Sequence, residues 1–586
     1  MPRQIKHEDD CRQTILRGMD AVADLVGSTL GPRGHTVIIG QPIGPAKVTK
    51  DGVTVAEGVS VPDPWENEGA KLIQQAARKT NTEAGDGTTA ATILTRALYR
   101  EGIRQVTAGA DSQALERGMR LAVARVVEEL GKIATPVAQE DLTTLEAVAT
   151  VAANGDKEMG SEIAKAVHHA GLEGNYTLDP SLTSKTTFEI AKGLEFQRGL
   201  DKWPQFMNDQ RGMAIFGACN IFITDMHLIE VEQAAALLRK YSSFGGMVPL
   251  LIICEDVSQG ALQVLSANNG RSVNVCPVRA PGSGLEKKEI LQDIAILTGS
   301  RAFMIARGDK IESVDKDHFG SADRVLVTPV RTTIVGGHGQ AERVELRKDE
   351  LRARIKDAET PEYGRAQLER RLAMISAKIA IIKLGAGVNS KLLEKRDRAE
   401  DSLNATLGAL KEGIVPGGGV ALIRTLPGLG ELIQTMAGDE KIGAQVVASA
   451  LTVPLATLAK NAGAKPDVVV QQVIEMPLAK RLEFDDALAQ AKPGMAEPDG
   501  DVYPQGTGRL DFSGSGFGYN AARDCYEHLP AAGIIDPAKV VRLALENAVE
   551  LSGLLITASG GVVEVPDPAQ LAAMVAARQA AQGGRP

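Results

Sequence analysis

Two glycines around one acid, followed by two hydroxyls, make Gly85-Asp86-Gly87-Thr88-Thr89 the stretch of this sequence best suited to chemistry. The glycines let the backbone approach an anion closely. If Thr88 and Thr89 open a helix, its unpaired N–H groups and dipole favour negative charge. Asp86 can then hold a cation against that anion, because Mg²⁺ takes one or two carboxylates and completes its shell with phosphate oxygens and water. Thr88 and Thr89 also offer hydroxyls to a terminal phosphate. An isolated Gly-Asp-Gly is a common turn, so the weight comes from its company. Upstream lie Thr29-Leu30-Gly31-Pro32-Arg33-Gly34 and Thr49-Lys50-Asp51-Gly52, two further glycine-containing loops, the second with its own acid.

Rigid elements must carry these loops. Ile15, Met19, Val22 and Val26 are spaced as one face of an amphipathic helix over 10–26, ending at Gly27. Strand-like runs follow at 35–39 and, after a turn, within 49–55. Helices are expected over 66–83, 88–108, 114–133 and 142–153. From about residue 191 the texture changes. Short β-rich runs at 221–224, 249–254 and 273–278 alternate with helical stretches at 231–241, 260–268 and 287–298, which predicts a separate α/β domain. A long charged helical region spans 341–380, broken at Thr360-Pro361, with spacing suited to solvated ion pairs. After Gly385 the first texture returns. Asp401 lies on a helix, Pro416-Gly417-Gly418-Gly419 interrupts the next connection, and the segments 518–521 and 533–537 are turn-like. Ends that match each other predict a discontinuous domain with another inserted in it.

At 586 residues and 61.9 kDa the chain exceeds one core, so two or three domains are expected. Aromatics are 3 % of the chain while Gly reaches 61 residues, which suits helices packed closely on small residues. A net charge of -9 argues against nucleic acid as a partner. No uninterrupted apolar run reaches about 18 residues, so no membrane span is expected. The N-terminus lacks the apolar core of a signal peptide. Cys11, Cys219, Cys254, Cys276 and Cys525 are widely spaced without a C-x-x-C pair, which points to buried free thiols in a reducing, cytoplasmic setting. The eight histidines form no H-E-x-x-H zinc motif, and no G-x-x-x-x-G-K-[ST] loop is present. A small-molecule ligase or kinase would need a second pocket with an acceptor group, and the sequence shows none.

In order and spacing, the motifs Thr29–Gly34, Lys50-Asp51-Gly52-Val53, Gly85–Thr89, Leu291-Gln292-Asp293-Ile294-Ala295, Gly417–Leu422, Gly518-Tyr519-Asn520-Ala521 and Gly533–Pro537 resemble those of the group I chaperonins. These are the 60-kDa bacterial ring chaperones, and the resemblance runs from about Arg12 to Pro566. It implies a multidomain α and α/β fold. A mainly helical equatorial domain would take 1–134 and 411–586, a small intermediate hinge domain 135–190 and 380–410, and an α/β apical domain 191–379. It also implies ATP, Mg²⁺ and K⁺ as cofactors. Asp86 would ligate Mg²⁺, and Thr29, Leu30, Gly31 and Pro32 with Gly87, Thr88 and Thr89 would cradle the phosphates. The Thr29 and Lys50 carbonyls would hold K⁺. Asp51 and Asp401 would act on the attacking water, and Gly418, Asn520 and Asp536 would hold ribose and adenine. The implied partners are non-native polypeptides, further copies in sevenfold rings, and a co-chaperonin lid.

The sequence also departs from the family. Ala90 stands where a third Thr is usual. The client-binding face would use Leu200, Trp203 and Phe206 with Ala235, Leu238 and Leu262, but Ser266 and Ala267 replace two valines and reduce the apolar area on offer. Ala456 and Lys465 replace a common Arg and Glu pair between rings, which implies one ring or a weaker double one. The segment 476–516 reads as a looped insertion rich in Pro, Gly and Asp, and the tail 579–586 lacks Gly-Gly-Met repeats. Such departures suit a divergent paralogue or a bacteriophage-encoded member. Two functional readings follow: an ATP-driven folding chaperone, and a chaperonin-derived ring that holds proteins without folding them.

Overall fold

The computed structural model describes residues 3–40, 46–153, 155–172, 174–181, 185–200, 202–209, 212–271, 273–357, 362–376, 378–385, 389–475 and 516–564. The expected insertion at 476–516 lies outside the described residues but for its last position, as do the Thr360-Pro361 break and the tail. The chain divides into two compact units. One takes Met1–His168, Pro180–Thr187 and Lys383–Pro586, and the other His169–Asp179 and Phe188–Ile382. Discontinuity, read from the matching ends, is thus present. The expected intermediate parts do not form a compact unit of their own: 135–168, 180–187 and 383–410 fall in the first unit, and 169–179, 188–190 and 380–382 in the second.

The first unit begins with strand β1 (Arg3–His7), helix α1 (Glu8–Gly27), a hairpin of β2 (Val37–Ile39) and β3 (Lys47–Thr49), and helices α2 (Gly52–Gly58), α3 (Pro64–Ala84), α4 (Thr88–Thr107), α5 (Ser112–Ile133), α6 (Leu142–Ala152) and α7 (Lys157–Ala170). The strand expected within 49–55 is instead the short helix α2. Its β-branched residues are outweighed by Asp51, whose carboxylate accepts from the N–H groups of Val53 and Thr54 at 3.4 and 2.8 Å and caps the turn.

The second unit holds β4 (Asn175–Pro180), β5 (Thr187–Phe196), β6 (Ala214–Phe216), β7 (Cys219–Ile223), β8 (His227–Leu228), α8 (Val231–Ser243), β9 (Leu250–Cys254), β10 (Asp256–Val257), α9 (Gln259–Asn268), β11 (Val275–Arg279), α10 (Gly284–Thr298), β12 (Phe319–Val327), β13 (Thr332–Gly337), α11 (Ala341–Lys356), α12 (Glu362–Ser376) and β14 (Lys378–Leu384). Its main sheet runs β11-β9-β7-β12-β13-β5-β14-β4, with β6 beside β12. The β11-β9-β7 edge is parallel, as α/β units require, and Leu250 to Cys254 are all fully buried there. The charged region 341–380 is two helices and then a strand, not helix to its end. Nor is it merely solvated. Asp293 of α10, 0 % exposed, pairs with Arg347 of α11 at 2.8 Å and with Arg371 of α12 at 2.7 Å.

The chain then returns to the first unit with α13 (Asn389–Glu412), β15 (Ile414–Pro416), α14 (Val420–Arg424), α15 (Leu426–Thr435), α16 (Gly438–Ala450), α17 (Val453–Ala462), α18 (Pro466–Glu475), a hairpin of β16 (Phe517–Asn520) and β17 (Cys525–His528), β18 (Ile535–Pro537), α19 (Ala538–Ile556) and β19 (Gly560–Glu564). The two turn-like segments expected near 518 and 533 each join a turn to a short strand: β16 runs into a turn at Ala521, and a turn at Gly533 leads into β18. β15 pairs with β18 and β1 with β19, so the ends of the chain are tied together.

Small residues set the helix packing. A Cβ on Gly18 of α1 would lie 1.7 Å from the Glu66 carbonyl oxygen of α3, and one on Gly69 of α3 would lie 2.1 Å from that of Ile15. Gly118 of α5 and Gly443 of α16 show the same reciprocal approach, at 1.9 Å from the Glu440 and 2.1 Å from the Leu115 carbonyl oxygen. By length and hydropathy alone, Gly438–Ala462 is long and apolar enough to cross a membrane, although the uninterrupted-run criterion gave no span. In the fold it is two helices, α16 and α17, whose Ala444, Val447, Ala450 and Leu455 are buried core.

Candidate functional site

The glycine loops and acids of the first unit converge. Gly85 ends α3 in the left-handed conformation (φ 74°), and Gly87, also left-handed at 79°, starts α4. Asp86 therefore sits between two helix ends, beside the open N-terminus of α4, as the anion-and-cation reading requires. The Gly52 backbone lies over that N-terminus. A Cβ there would meet Thr89 Oγ1 at 2.5 Å and Thr88 Oγ1 at 2.7 Å. Gly87 in turn lies against Val540 of α19.

The Thr29 loop follows α1, whose end packs on α4: a Cβ on Gly27 would meet Ile93 Cγ2 at 3.2 Å. Thr29 is buried and donates from Oγ1 to the Val26 carbonyl at 2.8 Å. Gly31 is left-handed (φ 85°) and lies against Leu458 of α17, and Leu458 also lies at the edge of contact with Gly418. The Thr29 loop and the Gly417–Gly419 turn thus flank one side chain. Pro32 and Lys50 are exposed and Leu30 is half-buried. Two residues that motif reading missed hold this loop. The Asn461 amide donates to the carbonyls of Gly27 and Leu30, both at 2.9 Å, and Arg33 donates to the carbonyls of Ala462 and Ala522 at 3.2 and 2.9 Å. Asn461 stands more than 400 residues away, so nothing in the local sequence signals it.

Four acids meet here. Burial first, and then the charge of Asp51, push the Asp86 carboxyl above the usual carboxylate range, with the Gly87 N–H pulling the other way. Asp401 of α13 is pushed well above it, by burial and then by Asp86, Asp51, Glu400 and Asp397. Asp536 of β18 is pushed up to about 7 by burial and by Asp86, opposed by the Gly418 N–H. Asp536 pairs with Val415 across the β15 and β18 ribbon, which places it beside the Gly417–Gly419 turn. Partly buried acids that raise one another's pKa describe a site short of positive charge. Among the described residues no three His, Cys, Asp or Glu side chains close into a cage for a metal. A single carboxylate, Asp86, beside an open helix N-terminus is a donor set of the kind that Mg²⁺ takes when phosphate oxygens and water complete its shell.

Asn520 has partners of its own within the hairpin. Its Oδ1 accepts from the N–H groups of Ala522 and Arg523 at 2.9 and 3.2 Å and its amide donates to Glu527, so the 4 % exposed side chain closes its own hairpin turn.

Half of the residues expected at the client face are buried in this fold. Leu200, Trp203, Phe206 and Leu238 are at most 7 % exposed and belong to the core of the second unit. The Leu200 N–H is bound by the Thr328 carbonyl, and a 3₁₀ turn at Pro204–Phe206 folds the aromatic ring inward. On α8, Leu238 shares the inward stripe of Ala234, Leu237 and Tyr241. Ala235, Leu262 and Ser266 are half-buried and Ala267 is exposed. Apolar groups open to solvent among the described residues of this unit include Ile229 and Val231 at one end of α8, at 60 and 43 %, and Phe244 and Met247 at the other, at 39 and 93 %. The Glu230 and Gln233 capping box, which starts the helix at Val231, was the available signal. A pocket of about 380 Å³ in this unit, lined by His169, Phe188, Glu189 and Ile190, shares no residue with the acid cluster.

Comparison with known proteins bears on the fold and the family. The model of the TCP-1/cpn60 chaperonin family matches residues 22–192 and 223–563, well over half of the chain. Among solved structures the fold is similar to the chaperonin gp146 from the bacteriophage EL 2 (Pseudomonas aeruginosa), crystallised in the presence of ATP-BeFx. The TM-score is 0.61 at 21 % identity, over 96 % of this chain and 99 % of that one. At that identity the likeness establishes a shared fold, and the family match carries the assignment: this chain belongs to the TCP-1/cpn60 chaperonin family.

Proposed function

We propose that the protein is an ATP-dependent, ring-forming molecular chaperone of the cytoplasm. It captures non-native polypeptides on apolar surface of the second unit and assists their folding through ATP binding and hydrolysis. The observation that carries the reading is the meeting of Asp51, Asp86, Asp401 and Asp536 around the N-terminus of α4. Thr29 to Pro32 and Gly87 to Thr89 bind the phosphates, and Gly418 with Asp536 binds the ribose side. Asp86 holds Mg²⁺, with the Thr29 and Lys50 carbonyls as K⁺ ligands. When bound, the cations supply neutralising charge at the phosphate oxygens.

The acids then divide the remaining work. Asp51 is oriented by its bonds to the Val53 and Thr54 N–H groups, which leaves lone pairs to align the attacking water. Asp401, ionised once the local negative charge is neutralised, accepts the proton of that water. Hydrolysis becomes conditional on where α13 stands, which suits a hinge of residues 135–190 and 380–410 between an equatorial and an apical domain.

Ring assembly has its own support. Ile38 and Val48 oppose each other on the β2 and β3 hairpin at 72 and 55 % exposure, and Ile5 and Val562 on the β1 and β19 ribbon at 61 and 59 %. Two short ribbons with bare apolar pairs and open edges suit strand addition between copies. Five free cysteines, four of them buried, suit a reducing compartment. A co-chaperonin lid would compete with clients for the apolar ends of α8.

The inward packing of Leu200, Trp203, Phe206 and Leu238 favours the second reading, a ring that holds clients without folding them. Refolding of a chemically denatured client, with and without ATP, separates the two. ATP-dependent recovery supports the folding chaperone. Suppressed aggregation that ignores ATP supports the holding ring.

A further inference from the structure

The nucleotide loop meets α13 at a residue outside the acid cluster. The space that a Cβ on Gly85 would fill is taken by Asn404, whose Nδ2, Cβ and Cγ lie 2.2 to 2.4 Å from that point. Asn404 is three residues beyond Asp401 and so on the same face of α13. Gly408, a further turn on, lies over Pro537 and Lys539 at ordinary contact distances of 3.6 and 3.7 Å from its missing Cβ.

The C-terminal half of α13 has further anchors. Ser402 donates to the Ala149 carbonyl of α6 at 2.7 Å, and Ala405 and Ala409 are buried with Val148 and Ile414. At the C-terminal end, Arg542 of α19 grips both oxygens of Glu412 at 2.9 and 2.6 Å. A helix held from behind and at its end meets the Asp86 loop through a side chain that fills the notch of a left-handed glycine.

We propose that Asn404 is a positioning residue, a spacer that sets how far Asp401 of α13 stands from Asp86. The inference rests on the ATPase reading above. A displacement of about 1 Å at such a distance can slow a positioned reaction on the order of 100-fold. The pairing also explains a need for glycine at residue 85 beyond its φ, since any side chain there would push α13 away.

The test combines kinetics with a double-mutant cycle on the full chain. Asn404→Ala is expected to lower kcat about tenfold with KM nearly unchanged, the mark of an interaction that matters in the transition state. Affinity for ADP with aluminium fluoride should fall by a similar factor, while affinity for ADP alone stays within about twofold. Gly85→Ala should impair the native chain more than it impairs Asn404→Ala, because the smaller residue makes room, and thermal unfolding without nucleotide should show the same non-additivity. Native kcat and native ADP and aluminium fluoride affinity in Asn404→Ala would overturn the inference while leaving the ATPase reading intact. Strictly additive effects of the two changes would also overturn it. A native chain that neither binds nor hydrolyses ATP would overturn both.

Discussion

Asp536 links the acid cluster to a measurable pH dependence. A carboxyl raised to about 7 in the folded chain binds protons that the unfolded chain, near the ordinary value of about 3.9, has already released. Its contribution is therefore least unfavourable below the unfolded value, and stability is lost as pH rises through about 7. Asp86 and Asp401 shift in the same direction. The nucleotide-free protein should melt at a lower temperature at pH 8 than at pH 5.5, and Asp536→Asn should narrow that gap. Mg²⁺ with ADP should narrow it too, because a bound cation favours the ionised acids. A pH profile of melting that Asp536→Asn leaves untouched would contradict the account. Asp86 drew attention in the sequence because the residue types around it name a chemistry, whereas Asp51 and Asp401 were singled out through the family resemblance. Asn461 was not legible there, because it acts across the fold, more than 400 residues from the loop it holds.

Helix existence was legible from periodicity, and α1, α3, α4 and α5 fall within a few residues of their expected limits. The failures have local causes. A cap outweighed β-propensity at Asp51, and the ion pairs of α11 and α12 proved partly buried because Leu351, Leu368 and Ile375 turn that face inward. The reciprocal glycines predict that Gly69→Ala or Gly443→Ala forces α1 from α3 or α5 from α16, with a loss of about 1–3 kcal/mol in denaturant unfolding. A change of less than about 0.5 kcal/mol would mean that these crossings have slack. In the second unit, Asp293→Ala removes the shared buried partner of Arg371, 2 % exposed, and Arg347, leaving Glu289 to the first and Glu350 to the second. Breaking a buried pair on one side costs about 3–5 kcal/mol, so hydrogen exchange should quicken across α10, α11 and α12. Unchanged protection there would show that the arginines find other partners.

For the whole molecule, the discontinuous arrangement was legible because both ends share a texture and the middle does not. Which apolar side chains face solvent was not, since periodicity names a face and only the fold decides what covers it. The bare pairs Ile38 with Val48 and Ile5 with Val562 predict that Ile38→Lys reduces ring-sized particles to single chains in mass measurements, while circular dichroism stays native. A native chain that remains monomeric with and without nucleotide would contradict the ring. The central claim, that the acid cluster is a hydrolytic ATP site, is tested most directly by steady-state ATP hydrolysis with Mg²⁺ and K⁺ in the native chain and in Asp401→Ala. The account predicts turnover by the native protein, and a variant that binds nucleotide as well but hydrolyses it at least about 100-fold more slowly, as loss of a positioned base entails. Equal rates in the two proteins, or no hydrolysis in either, would contradict it.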